Sequence, residues 1–227
     1  MIVNKFNYIK LSRATINGKR LYSCPDGSKL PSVTTILSAT SPQSKKDGLN
    51  NWRKRVGVKN ATEITSAAAN RGSRMHSFIE GYIKNGEISE SGTNPFSIES
   101  HKMAKHIIKN GFANITEYYG SEISLYYPEL YAGSTDLVAL KNGELILGDY
   151  KQTNKPKRRE WIDDYFLQLS AYICNHNLLY DTDVKHGIIM MCDPTLYYQE
   201  FDLTGDELEH YKEEWWKRVY QYYDSML

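Results

Sequence analysis

Apolar positions recur along this chain first with a helical period and then, past residue 114, with a strand period, and that change organises the sequence before any chemistry is considered. Residues 14 to 30 suggest two short strands about the turn Pro25-Asp26-Gly27, after which Pro31-Ser32 leads into a short helix from Val33 with Ser32 as its N-cap. Residues 45 to 56 read as a basic, exposed helix. Residues 61 to 84 read as a long helix broken or bent near Gly72, because glycine is a poor helix former. A loop rich in Gly, Ser, Asn and Pro over 85 to 95 precedes a further helix at about 97 to 110.

The strand period occupies 115 to 127, 131 to 140 and 144 to 151, the last two joined by Asn142-Gly143, the strongest short signal for a two-residue hairpin. A helix from about 158 to 177 follows, then strands near 184 to 191 and 197 to 201. A C-terminal helix opens at Thr204, and its stripe Leu208, Tyr211, Trp215, Val219 and Tyr222 docks it on the core. This order predicts a mixed α/β fold: a mixed central sheet with an antiparallel meander, flanked by helices.

The chain has 227 residues, 41% hydrophobic and 24% charged, which fits one globular domain with one sizeable core. It holds no apolar run of membrane-spanning length, and residues 1 to 10 lack the apolar block of a secretory signal. Cys24, Cys174 and Cys192 are too few and too far apart for a disulfide framework or a four-cysteine metal site, so a cytoplasmic setting is expected, in a bacterium or a phage-infected cell. The formal charge of +1 argues against a protein that coats nucleic acid by bulk electrostatics, so any such affinity must be local.

Centring the hairpin on residues 142 and 143 pairs 141 with 144, and carried outward this register sets Asp136 opposite Asp149. Directly opposed residues share a face about 5 Å apart, where like charges are destabilising unless something binds between them. The period of two puts Lys151 on the same face. A loop over 128 to 130 would pair 127 with 131 and bring Glu122 opposite Asp136. Three acids and a lysine at one patch are costly to hold together, and a divalent cation with oxygen ligands is the economical way to neutralise them. An isolated Asp-x-Lys is usually a solvated strand end, so it is the register that gives this one weight.

In the segments GSTDLVAL (133 to 140), GDYKQ (148 to 152) and QLSAY (168 to 172) the chain resembles the PD-(D/E)XK nuclease superfamily. Within it the likeness is to the RecB-like exonuclease branch, nearest the mitochondrial genome maintenance exonucleases and related phage and bacterial exonucleases. LPSVTTIL (30 to 37) and RGSRMHSFIE (71 to 80) resemble segments ahead of that group's nuclease core, so the likeness runs over about residues 20 to 200. The Pro-Asp of the superfamily pattern is here Thr135-Asp136. The resemblance implies a restriction-endonuclease-like core in a single domain over 1 to 227, with 1 to 60 an N-terminal extension packed on it.

It further implies Asp136 and Asp149 as the metal-binding acids, the backbone carbonyl of Tyr150 and the helix-borne His76 as further ligands, and Lys151 as the active-site lysine. Gln168 falls near the attacking water or the scissile phosphate. Trp161, Tyr165, Gln168 and Tyr172 recur at helical spacing and so share a face, as core aromatic stripes usually do, and it is the resemblance in QLSAY that implies Tyr172 as a DNA-binding residue. Glu80, four residues after His76, is placed to orient it, and Glu122 is a second supporting acid.

The function implied is a metal-dependent exonuclease acting on ends of linear DNA, with single strands preferred. Mg²⁺ or Mn²⁺ would act as a Lewis acid on the phosphate and acidify a water, while Lys151 orients that water or stabilises the developing charge. DNA would be gripped by Lys155, Lys157, Arg158 and Arg159 of KPKRR and by Arg71 and Arg74 beside His76. An endonuclease or flap nuclease on the same core is the alternative within the enzymes, and a non-catalytic DNA-binding homologue the alternative outside them.

Overall fold

The computed structural model describes residues 1–226. Eight strands and six helices follow in the order β1 (Ser12–Ile16), β2 (Lys19–Ser23), β3 (Lys29–Pro31), α1 (Val33–Ala39), α2 (Gln43–Val56), α3 (Val58–Asn85), α4 (Pro95–Gly111), β4 (Ile115–Tyr127), β5 (Tyr131–Lys141), β6 (Glu144–Gln152), α5 (Asp163–Tyr180), β7 (His186–Cys192), β8 (Tyr198–Thr204) and α6 (Gly205–Asp224). A separate 3-10 turn, Arg159–Trp161, precedes α5.

The central sheet has the order β4-β5-β6-β7-β8 and is antiparallel except for the parallel pair β6 and β7, which α5 connects. It is the mixed sheet with an antiparallel meander that the pattern predicts, in the arrangement of a restriction-endonuclease-like core. Alternate residues of its strands supply two cores. Val138, Leu147, Ile189 and Met191 face α1, α5 and α6, with Phe166 and Trp215 among their partners. Leu137, Ala139, Ile146, Tyr150 and Ile188 face Met75, Ile79, Met103 and Ile107 of α3 and α4. Each fully buried side chain of this size contributes about 1.5–3 kcal/mol.

Three local expectations are corrected. The N-terminal sheet has three strands rather than two, because Asn17 and Gly18, at φ 50° and 74°, close a hairpin between β1 and β2. Helix α3 runs unbroken through Gly72. Glycine serves there for proximity, since a Cβ would stand 3.3 Å from Gln152 Cγ on β6. Trp161 sits in the 3-10 turn with 57% of its surface exposed, so it does not share the inner face of α5.

Two contacts hold the N-terminal segment along the β4–β5 side of the central sheet. Ile2 bridges Tyr118 on β4, and Ser32 bridges Ala132 at the start of β5. Tyr22 and Leu30 bury themselves against Ala132 and Tyr126, so the small sheet becomes a roof over β5.

Candidate active site

The site forms where β5 and β6 part. Their pairing follows the predicted register from Lys141–Glu144 to Leu137–Gly148 and then stops, while β6 stays paired with β7 through Gln152. Asp136 and Asp149 are therefore the first residues past the fork. Instead of a ladder bond, the Tyr150 amide donates to Asp136 Oδ2 at 2.7 Å. Both carboxylates are almost fully buried, yet both line the same cleft.

The opposite wall comes from β4. Tyr127 pairs with Tyr131 as predicted, and the pairs Ile123–Thr135 and Ser121–Leu137 leave Glu122 opposite Asp136. Glu122 has φ 54°, a left-handed conformation that a glutamate adopts only at a cost, and such strain tends to mark positions with a task. Its carboxylate lies 3.4 Å from His76 Nδ1, and Asp136 Oδ1 lies 3.7 Å from the same atom. His76 reaches in from α3, and its Nε2 donates to the Tyr150 carbonyl at 2.8 Å. One ligand atom each from His76, Glu122 and Asp136 fall within 4.8 Å of one another. Across the cleft Lys151 is ion-paired with Asp149, its ammonium 5.1 Å from the Tyr165 ring centre.

Charge accumulation at the fork perturbs these groups as elementary electrostatics requires. Burial, with the nearby Asp149 and Glu122 carboxylates, raises the Asp136 carboxyl to about 7 against the pull of His76. Burial alone would lower His76, but Asp136 and Glu122 outweigh it and raise the imidazole to about 9. Lys151 is likewise raised by Asp149 and Asp136 despite burial, so its ammonium stays charged. Two cationic side chains thus balance the acids, a charge that one divalent ion could equally supply. The donors, carboxylate and carbonyl oxygens with one imidazole, suit Mg²⁺ or Mn²⁺.

Gln168 and Tyr172 of α5 line the cleft as expected, the Gln168 amide donating to the Tyr172 hydroxyl at 2.9 Å. Gly133 makes room for that ring: a Cβ there would lie 2.4 Å from Tyr172 Cε1. Glu80 reaches the cleft rim but is paired with Lys84, so the acid that meets His76 is Glu122. The basic residues expected to grip DNA lie outside the lining of this cleft. Arg71 bonds Asn154 at 3.1 Å and faces Glu99, while Arg74 meets Ser100 at 3.4 Å. Arg159 is held by Glu207, and Arg158 lies over Trp161, 5.2 Å from its ring. None of these four, nor Lys155 or Lys157, lines the cleft, whose volume is about 550 Å³. Its unanticipated lining residues include Arg13 and Arg20 of the roof, with Ser32 and Thr34 at the start of α1. Alternation along the hairpin at Asn17-Gly18 would have put the two arginines on one face.

The chain is 29% identical over 210 residues to mitochondrial genome maintenance exonuclease 1 of Xenopus tropicalis, covering 85% of this chain and 57% of that protein. It is 30% identical over 173 residues to the protein of the same name from Mus musculus, covering 71% and 49%. It thus spans about half the length of these relatives. No protein-family model matches it. Among solved structures, the alkaline exonuclease LHK-Exo of Laribacter hongkongensis aligns over 87% of this chain and 91% of that one, at 13% identity and a TM-score of 0.39, too loose a likeness to carry an argument. The sequence likeness is to proteins named as exonucleases, in agreement with the resemblance carried by the motifs.

Proposed function

We propose, from this likeness to the mitochondrial genome maintenance exonucleases, that the protein is a metal-dependent DNA exonuclease that hydrolyses phosphodiester bonds at the ends of linear DNA and prefers single strands. The observation that carries the reading is the cluster at the fork: His76, Glu122 and Asp136 converge within 4.8 Å, and Lys151 stands beside Asp149 in the same cleft. We read residues 1 to 227 as one nuclease domain, with 1 to 60 as an extension that roofs the core.

Asp136, Asp149, His76 and the Tyr150 carbonyl would hold Mg²⁺ or Mn²⁺, and Glu122, expected only to support them, is close enough to join. An ion there supplies Lewis acidity toward the phosphate and lowers the pKa of a water. The chain's own groups do the rest. Lys151, kept charged by its carboxylate neighbours, cannot take a proton from water; its part is to orient the nucleophile and stabilise charge on the phosphate. The Gln168 amide, steadied by Tyr172, can hold the phosphate or the water in line.

The test is incubation with end-labelled single-stranded, duplex and covalently closed circular DNA, with Mg²⁺, Mn²⁺ or chelator. Ion-dependent shortening of linear strands, with circles intact and Lys151→Ala strongly slowed, is the expected result. Cut circles would make it an endonuclease, and binding without cleavage a DNA-binding homologue.

A further inference from the structure

We infer that Arg13 and Arg20, on the underside of the N-terminal roof, bind the phosphates that flank the scissile one, making this hairpin the nucleic-acid clamp of the protein; the inference rests on the nuclease reading above. The hairpin register pairs Arg13 with Tyr22 and Thr15 with Arg20, so the two arginines share the face that carries Tyr22 and Leu30. That face is the inward one, since Tyr22 and Leu30 are buried against Ala132. The opposite, outward face carries Ala14 and Ile16, the latter 43% exposed.

The arginines are also unspent. Among the described residues neither side chain makes a hydrogen bond, an ion pair or a cation–π contact, whereas Arg71, Arg74 and Arg159 are each bonded to neighbours. Both line the cleft that holds Asp136, Asp149 and Lys151. Arg13 continues into an adjoining trough of about 500 Å³ that also takes in Tyr8, Lys10 and Lys84. Arg20 continues into a groove on another flank, beside Lys19 and Thr35. As diagonal neighbours across a strand pair their backbones are about 7–8 Å apart, a separation that suits consecutive phosphates of an extended strand. A floor of acids for the ion and a roof of guanidinium groups for the neighbouring phosphates divide the charges as a phosphodiester chain requires.

The test is anisotropy of a labelled oligothymidylate bound to the full chain, over a salt series with Ca²⁺ replacing Mg²⁺. Each phosphate contact on a single strand contributes about 0.7 to the slope of log K against log salt. Arg13→Gln and Arg20→Gln should each lower that slope by about 0.7 and the double variant by about 1.4, with Lys185→Gln, at an exposed pair with Asp183 away from the cleft, without effect. The double lysine variant should keep the wild-type slope, separating charge from any structural role. A double glutamine variant with the wild-type slope, or a double lysine variant without it, overturns the clamp and leaves the nuclease reading standing. A wild type that binds no strand at any salt overturns both.

Discussion

His176→Gln should remove much of the protein's sensitivity to mild acid. His176 lies fully buried on α5, with Nδ1 bonded to the Thr182 hydroxyl and Nε2 to the Tyr8 hydroxyl, each at 2.8 Å. Its ring packs edge-on against Phe6 with centroids 5.0 Å apart, so it anchors the N-terminal segment to the core. Burial pushes its pKa from 6.5 down to about 4. As pH falls through that window the unfolded chain takes up a proton that the folded chain refuses, so stability is present above pH 6.5 and is lost on the way to 4. The full loss is about 3 kcal/mol, from a domain total on the order of 5–15. At this chain length it amounts to roughly 6–12 °C in Tm.

The wild-type slope is a composite. Asp136, raised to about 7, and His76, raised to about 9, both bind protons more tightly in the folded state, and so gain stability on acidification. Urea unfolding of both proteins at about pH 7 and about pH 4.5, followed through tryptophan fluorescence, isolates His176 as the difference. The variant should start less stable, because the aromatic packing is gone, and lose about 2–3 kcal/mol less on acidification. A variant that loses as much as the wild type refutes the assignment.

Further outcomes follow from the same geometry. Lys151→Ala should lower kcat about 10²–10³-fold with substrate affinity little changed, read from single-turnover cleavage. Glu122→Gln should weaken Mn²⁺ binding about 10–100-fold by calorimetry, and an unchanged affinity would return Glu122 to a purely structural role. Gly133→Ala, with its Cβ driven to 2.4 Å from Tyr172, should cost about 1–3 kcal/mol in urea unfolding, and a neutral result would show that the ring can yield.

The meander was legible almost to the residue, because Asn142-Gly143 and the alternation around it specify a hairpin register by themselves. That register led to Asp136 and Asp149. It could not show that the ladder ends one pair earlier, since the fork depends on β6 continuing along β7, a long-range contact. Glu122 was placed opposite Asp136, yet its left-handed backbone and its reach to His76 arise from the irregular course of β4. The partners of the basic residues were not legible for a related reason. Arg159 is held by Glu207 and Arg71 faces Glu99, acids 48 and 28 positions away in sequence, and local patterning says nothing about such partners. Arg13 and Arg20 are aligned by the Asn17-Gly18 turn, a local hairpin signal of the same kind as Asn142-Gly143.

The claim that the acids at the fork bind a divalent ion in order to cut DNA is tested most directly with Asp136→Asn beside the wild type. Mn²⁺ binding is measured by calorimetry, and nucleotide release from a labelled linear strand in the same buffer. The account predicts that the wild type binds the ion and releases nucleotides only in its presence, and that the variant does neither while remaining folded. Release that persists under chelator, or an Asp136→Asn protein that binds and cuts as before, contradicts it.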